Sequence, residues 1–140
     1  MTLTPYEIAL HEIGVQEQSG SKHNPRIIEY HGCTSLKATA DEIPWCASFV
    51  NWCLRVAAIV GTNSARARSF LTWGVPVPIT EAQRGDIVVL ARGNNVGEGH
   101  VGFYTGRKDN NVLLLGGNQS NRVSIATFPL STIISIRRQP

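Results

Sequence analysis

The spacing of apolar residues changes halfway along the chain. In the first half it is helical. Thr4-Pro5-Tyr6-Glu7 has the form of a capping box, with Thr4 as N-cap, proline at the first helical position and glutamate three residues on. Ile8, His11 and Glu12 follow at helical spacing, and Gly14 stops that helix. A polar Gly/Ser loop over 16–24 comes next, then a short helix after Pro25 through Ile27, Ile28 and Tyr30. The principal helix is expected from about Pro44 to about Val60, ended by Gly61, with Phe49, Val50, Cys53, Ala57 and Val60 on one stripe. Asn63 or Ser64 is placed to cap a last short helix through Ala65 to Trp73.

The second half has strand periodicity. Residues 85–92, 99–106, 111–116, 122–127 and 133–138 are short apolar or alternating runs bounded by Gly, Asn or Asp. About five strands joined by short turns make an antiparallel sheet, and helices followed by a sheet give an α+β fold. There is no repeat or linker, so residues 1–140 are expected to form a single domain.

Composition narrows the functional classes. With 42% hydrophobic and 16% charged residues the chain is ordinary for a globular protein. No apolar run is long enough to cross a bilayer, so stable membrane insertion is not expected. The N-terminus lacks the basic start and apolar stretch of a secretory signal. Synthesis in the cytoplasm without a signal peptide is therefore expected, with any outside work depending on another route. The net charge of +3 is spread along the chain, which argues against nucleic acid and allows weak attraction to a polyanion such as a cell wall. Cysteines at 33, 46 and 53 form no CxxC pair, which disfavours both a zinc site and a disulfide framework.

Candidate chemistry centres on Asp41-Glu42-Ile43-Pro44-Trp45-Cys46-Ala47-Ser48-Phe49-Val50-Asn51-Trp52-Cys53. A Pro-ended polar loop runs into an apolar helix, which sets Cys46 on its first turn. Unsatisfied N–H groups and the positive end of the helix dipole face the sulfur there and favour the thiolate. Cys53 lies seven residues on, on the same stripe, and is the inert core thiol by comparison. A thiol nucleophile needs a base, and His100 is the best placed of four histidines because it opens a Gly-bounded strand. His11, on a helix flank, and His23 and His31, in loops, are assigned structural or solvated roles. A third group should orient the imidazole, and Gly116-Gly117-Asn118-Gln119-Ser120-Asn121 follows the next strand. Asn118 is the first choice there and Gln119 the second. The residues assigned to the substrate groove are Trp45, Gln119 and Glu42, with simple core packing an equal alternative for Trp45.

Together, Pro44-Trp45-Cys46-Ala47, Arg84-Gly85-Asp86-Ile87-Val88-Val89, Gly99-His100-Val101-Gly102-Phe103-Tyr104 and Gly116-Gly117-Asn118-Gln119 resemble the CHAP and NlpC-type cysteine amidohydrolase/peptidases. The likeness is greatest to a phage-associated, endolysin-like branch and covers roughly Thr4 to Arg138. It implies a papain-like fold, with Cys46 as nucleophile, His100 as general base and acid, and Asn118 as orienting residue. It further implies peptidoglycan as substrate, cleaved as an N-acetylmuramoyl-L-alanine amidase (slightly preferred) or as a stem-peptide endopeptidase. The expected partners are the wall itself and a holin or an immunity protein, with the chain a monomer and no cofactor. Some CHAP domains bind calcium through an acidic loop before the cysteine. Only Asp41 and Glu42 stand there, so no metal is expected. The alternatives are an idle wall-binding module and a cysteine protease or toxin acting on protein.

Overall fold

The computed structural model describes residues 3–18, 23–34, 44–93 and 98–140. Helix α1 (Pro5–Leu10) starts at the predicted capping box: Glu7 N donates to Thr4 Oγ1 at 3.1 Å, and Thr4 N donates to Glu7 Oε1 at 2.9 Å. Helix α2 (Pro25–His31) is capped by Asn24, whose side chain accepts from Arg26 N at 2.9 Å. His31 is thus the last residue of a helix rather than part of a loop. It is fully buried, with Nδ1 2.8 Å from Ser48 Oγ.

Helix α3 (Cys46–Val56) is shorter at both ends than its apolar stripe suggests. Trp45 takes a non-helical conformation at its start. At its end Ala58 adopts φ 61°, and its N–H donates to Arg55 O at 2.9 Å while Ile59 N–H donates to Leu54 O at 2.8 Å. This left-handed cap satisfies the last carbonyls three residues before Gly61. It also turns Val60 out to 88% exposure, off the predicted stripe. Gly61 serves a close approach instead, because a Cβ there would collide with Asn51 Oδ1. That oxygen accepts from Thr62 N and Asn63 N and fixes the loop after α3. The segment expected to be helical beyond it forms a 3-10 helix, Ala67–Thr72.

The sheet contains β1 (Val75–Pro76), β2 (Ile87–Ala91), β3 (Gly99–Lys108), β4 (Asn111–Gly116), β5 (Ser124–Pro129) and β6 (Ile133–Arg138). Their order is β1-β6-β2-β3-β4-β5, with every pairing antiparallel. The sheet has one strand more than the expected five or so. The addition, β1, is two residues long and contains a proline, too little to show a period of two. On one face Val89, Val101, Phe103 and Leu115 pack against Ile27, Tyr30, Trp45, Phe49 and Cys53 of the helical half. On the other, Val88, Leu90, Val112, Leu114 and Ile136 form a second core, edged by Phe128, Leu130 and Ile133. Burial on both faces explains why residues 87–90 are uniformly apolar rather than alternating. No described helix is long and apolar enough to cross a membrane.

Polar contacts tie the helices to one another. Tyr30 donates its hydroxyl to Glu12 Oε1 at 2.6 Å, and Arg26 Nε lies 3.1 Å from the same oxygen. Burial, reinforced by Glu12, pushes the Tyr30 hydroxyl far above its ordinary range, so it stays a donor. Residues 14–17 form a strap along the turn after β4: Gly14 N donates to Val123 O, Val123 N to Val15 O and Glu17 N to Asn121 O. Part of the expected open loop at 16–24 is therefore paired, and residues 19–22 lie outside the described ones.

The Glu17 carboxylate in this strap also accepts from Trp45 Nε1 at 2.8 Å. Trp45 is wholly buried, stacked on Tyr30 at 5.9 Å between ring centroids. Of the two expected roles, the structure shows the core one: the ring beside the first residue of α3 is packed in the interior. Gly117 lies against it, and a Cβ at that position would meet the Trp45 ring at 2.7 Å and Phe49 Cβ at 2.8 Å. Gly117→Ala is expected to destabilise the domain by about 1–3 kcal/mol through overpacking. Chemical denaturation checks this, and an unchanged midpoint would show that the core yields there.

Candidate functional site

Cys46 is the first residue of α3, 6% exposed, and its sulfur meets the start of β3. Burial raises its thiol. A hydrogen bond to His100, the charge of that ring and the backbone N–H groups of Val101 and Ala47 outweigh burial, and the thiol lies below its ordinary range. The reciprocal effect is seen at His100. Burial lowers its basicity and the charge of Arg92 opposes protonation, but the bonds to Cys46 and Gln119 prevail and hold it above the usual histidine range. Each partner thus favours the charged form of the other.

The third member is Gln119. Its Oε1 lies 2.9 Å from His100 Nε2, and its Nε2 donates to Leu114 O at 3.1 Å and Ser124 O at 2.7 Å. Backbone carbonyls only accept, so the NH2 end must face them and the oxygen must face the ring. An accepting oxygen in turn requires a proton on His100 Nε2. That leaves Nδ1 as the nitrogen that meets the Cys46 thiol. Two peptide carbonyls thus set the tautomer of the ring through one side chain.

The expected first choice, Asn118, does not make this contact. It adopts φ 57°, as do Ser120 and, at 61°, Asn121. This run of left-handed residues swings Gln119, 5% exposed, under the sheet end and leaves Asn118 half-buried beside His100. Two glycines make the room: a Cβ on Gly116 would meet Gln119 Oε1 at 2.6 Å, and one on Gly102 would lie 3.6 Å from it. Gln119 is therefore the residue that meets the histidine. The ring of Phe128, not singled out by the sequence, packs on His100 at 5.1 Å between centroids. Glu42 and Asp41 lie outside the described residues.

The pH dependence of thiol reactivity follows. As pH falls, the Cys46 thiolate should persist below the ordinary thiol range, because His100 and two amides stabilise the charged form. In His100→Ala burial prevails, the thiol moves up, and alkylation by iodoacetamide near neutral pH slows by about tenfold or more. Mass spectrometry of alkylated Cys46 across pH checks this. Superimposable profiles for the two proteins would exclude the coupling.

The sequence matches the CHAP domain family model over residues 38–118, more than half of the chain. This chain belongs to the CHAP family. The expected family is thereby established, though not the endolysin-like branch within it, and with the family the expected class of enzyme, a cysteine amidohydrolase or peptidase. In this CHAP chain Cys46, His100 and Asn118 fall within the match, and Gln119 lies one position beyond it.

Three solved structures share the fold. A Staphylococcus aureus protein described as similar to lipoprotein, of the NLP/P60 family, aligns over 98% of this chain and 41% of its own, with TM-score 0.57 and 18% identity. The peptidoglycan hydrolase RipB of Mycobacterium tuberculosis aligns over 93% of this chain and 60% of its own, with TM-score 0.58 and 19% identity. The P60 domain of an antigen from M. avium paratuberculosis aligns over 97% and 96%, with TM-score 0.57 and 13% identity. The CHAP chain thus has the papain-like α+β architecture of NlpC/P60 domains and spans 41% and 60% of the first two proteins. No curated protein matches it.

Proposed function

We propose that this chain hydrolyses an amide bond of bacterial peptidoglycan by thiol catalysis. The observation that carries the reading is the hydrogen-bonded series Cys46–His100–Gln119, assembled from α3, β3 and the turn after β4 in a chain of the CHAP family. The peptidoglycan hydrolase RipB, with the same fold, supports the choice of substrate.

In this mechanism the Cys46 thiolate attacks the amide carbonyl and forms a carbon–sulfur bond. The oxyanion is met by the backbone N–H of Cys46, which as a first-turn amide has no partner within the helix, together with one further donor. His100 Nδ1 gives its proton to the leaving nitrogen as the carbon–nitrogen bond breaks. Water, deprotonated by the same nitrogen, then resolves the thioester and frees the acid. Gln119 holds the ring through Nε2 and takes no part in proton transfer.

Two bonds suit this chemistry: the one between N-acetylmuramic acid and L-alanine, and one within the stem peptide. Specificity between them belongs to the groove rather than to the catalytic series. The biological setting that fits is action on the wall after release from the cytoplasm, either as a holin-released phage endolysin or as an antibacterial effector held in check by an immunity protein. Catalytically idle wall binding and hydrolysis of a protein are the competing activities. The deciding experiment incubates the protein with purified sacculi and, separately, with casein, and identifies the soluble products by mass spectrometry. Wall fragments from sacculi support the proposal, and their masses give the bond. Peptides from casein alone, or no product from either, overturn it.

A further inference from the structure

A cavity of about 410 Å³ opens beside the catalytic series, lined by His100 and Gln119 and further by Arg92, Ser120, Phe128 and Thr132. His100 borders it and Cys46 does not, so it lies on the imidazole side of the reacting sulfur. In amide hydrolysis that side is the side of the leaving amine, because the histidine must reach the departing nitrogen with its proton. The cavity is therefore positioned to hold whatever is attached to that nitrogen.

Its charge is one-sided. Arg92, an exposed residue just after β2, supplies a guanidinium, and no acidic residue is among those lining the cavity. Among the described residues Arg92 makes no hydrogen bond or ion pair of its own. Its field works against protonation of His100. A cation placed beside a general acid without a partner opposes the very species that must donate the proton. An anion bound at Arg92 removes that opposition. Guanidinium–carboxylate pairing is planar and doubly hydrogen-bonded, and hydroxyls of Thr127, Thr132 and Ser120 line the same space.

Building on the function proposed above, we propose that Arg92 and this cavity form the leaving-group subsite and select a residue that carries a free carboxylate near the scissile amine. The alanine released from muramic acid does not qualify, since its carboxyl is tied up in the next amide. A stem-peptide residue linked onward through its side chain keeps its α-carboxylate free and does. The subsite thus favours stem-peptide cleavage over the muramoyl–alanine bond that the sequence alone slightly preferred.

The test uses two synthetic stem peptides that differ only in the residue after the scissile bond, one with a free α-carboxylate and the other with the carboxamide. Wild type is expected to show a kcat/KM ratio of about 10–100 in favour of the carboxylate. In Arg92→Gln the ratio falls to near one, and in Arg92→Lys it is intermediate, because a point charge without the planar fork retains only part of the pairing. A wild-type ratio near one, or a ratio that survives in Arg92→Gln, overturns the subsite. Sacculi digested in parallel separate this from the broader proposal. Wall fragments together with a ratio near one remove only the Arg92 inference, whereas no cleavage of sacculi or of either peptide removes both.

Discussion

Cys46→Ala is expected to abolish release of wall fragments, with a loss of at least about 10^4-fold, while the protein stays folded. Both halves of this expectation follow from the position of the residue. In the proposed mechanism the sulfur is the atom that forms the covalent bond, and an alanine methyl offers no substitute. Structurally the change is slight: the side chain is small and stands at the first position of α3, where the residue is still 6% exposed. Alanine is also the best helix former. The melting temperature should move by no more than a few degrees. Turbidity loss of sacculi and circular dichroism on the same preparation measure the two halves. A folded Cys46→Ala protein that still lyses the wall would falsify the thiol mechanism.

The second large effect separates adjacent residues. Gln119→Leu is expected to cost about 10^2–10^3-fold in kcat, with KM little changed, whereas Asn118→Ala should cost less than about fivefold. Leucine removes the oxygen that holds His100 Nε2 and the amide that the Leu114 and Ser124 carbonyls share. Part of the cost appears as stability, about 1–3 kcal/mol for buried carbonyls left without a donor. The readout that a purely structural role does not move is the alkaline limb of the pH–rate profile. The Gln119 bond raises the basicity of His100, so its loss should shift that limb to lower pH. Gly116→Ala should reproduce a milder form, since its methyl displaces the Gln119 oxygen and leaves the residue itself in place. If Asn118→Ala proved the more damaging change, the orienting role would return to Asn118.

The sequence ranks Asn118 ahead of Gln119, whereas the side chain that meets His100 is that of Gln119, and the difference has a physical explanation. Cys46 and His100 are marked by transitions that composition records, a polar Pro-ended loop entering an apolar helix and a strand bounded by glycines. Gln119 is marked by backbone handedness. Whether residue 118 or 119 faces the ring depends on φ 57° at Asn118, and Asn-Gln-Ser-Asn suits many turns equally well. At Trp45, where the sequence leaves groove and core as equal alternatives, the non-helical residue before α3 turns its ring inward to Tyr30 and Glu17. The end of α3 is hidden because a left-handed alanine does the work normally credited to glycine. The strands, by contrast, are placed almost correctly, because each is bounded by turn residues and carries an unbroken apolar or alternating run.

The three cysteines are free, and each is covered: Cys33 is 8%, Cys46 6% and Cys53 0% exposed. Disulfide exchange requires a thiolate to attack another sulfur directly, so thiols shielded in this way are poor partners for another protein. Burial, together with the charges of Glu12 and Cys33, pushes the Cys53 thiol well above its ordinary range and keeps it protonated and unreactive. Cys46, by contrast, is held below the ordinary thiol range by His100 and two backbone amides. In an oxidising environment the enzyme is therefore expected to stay free of cross-links to its neighbours. Its vulnerable point is a small oxidant such as hydrogen peroxide, which would convert the nucleophile first to a sulfenic acid that a reductant can restore.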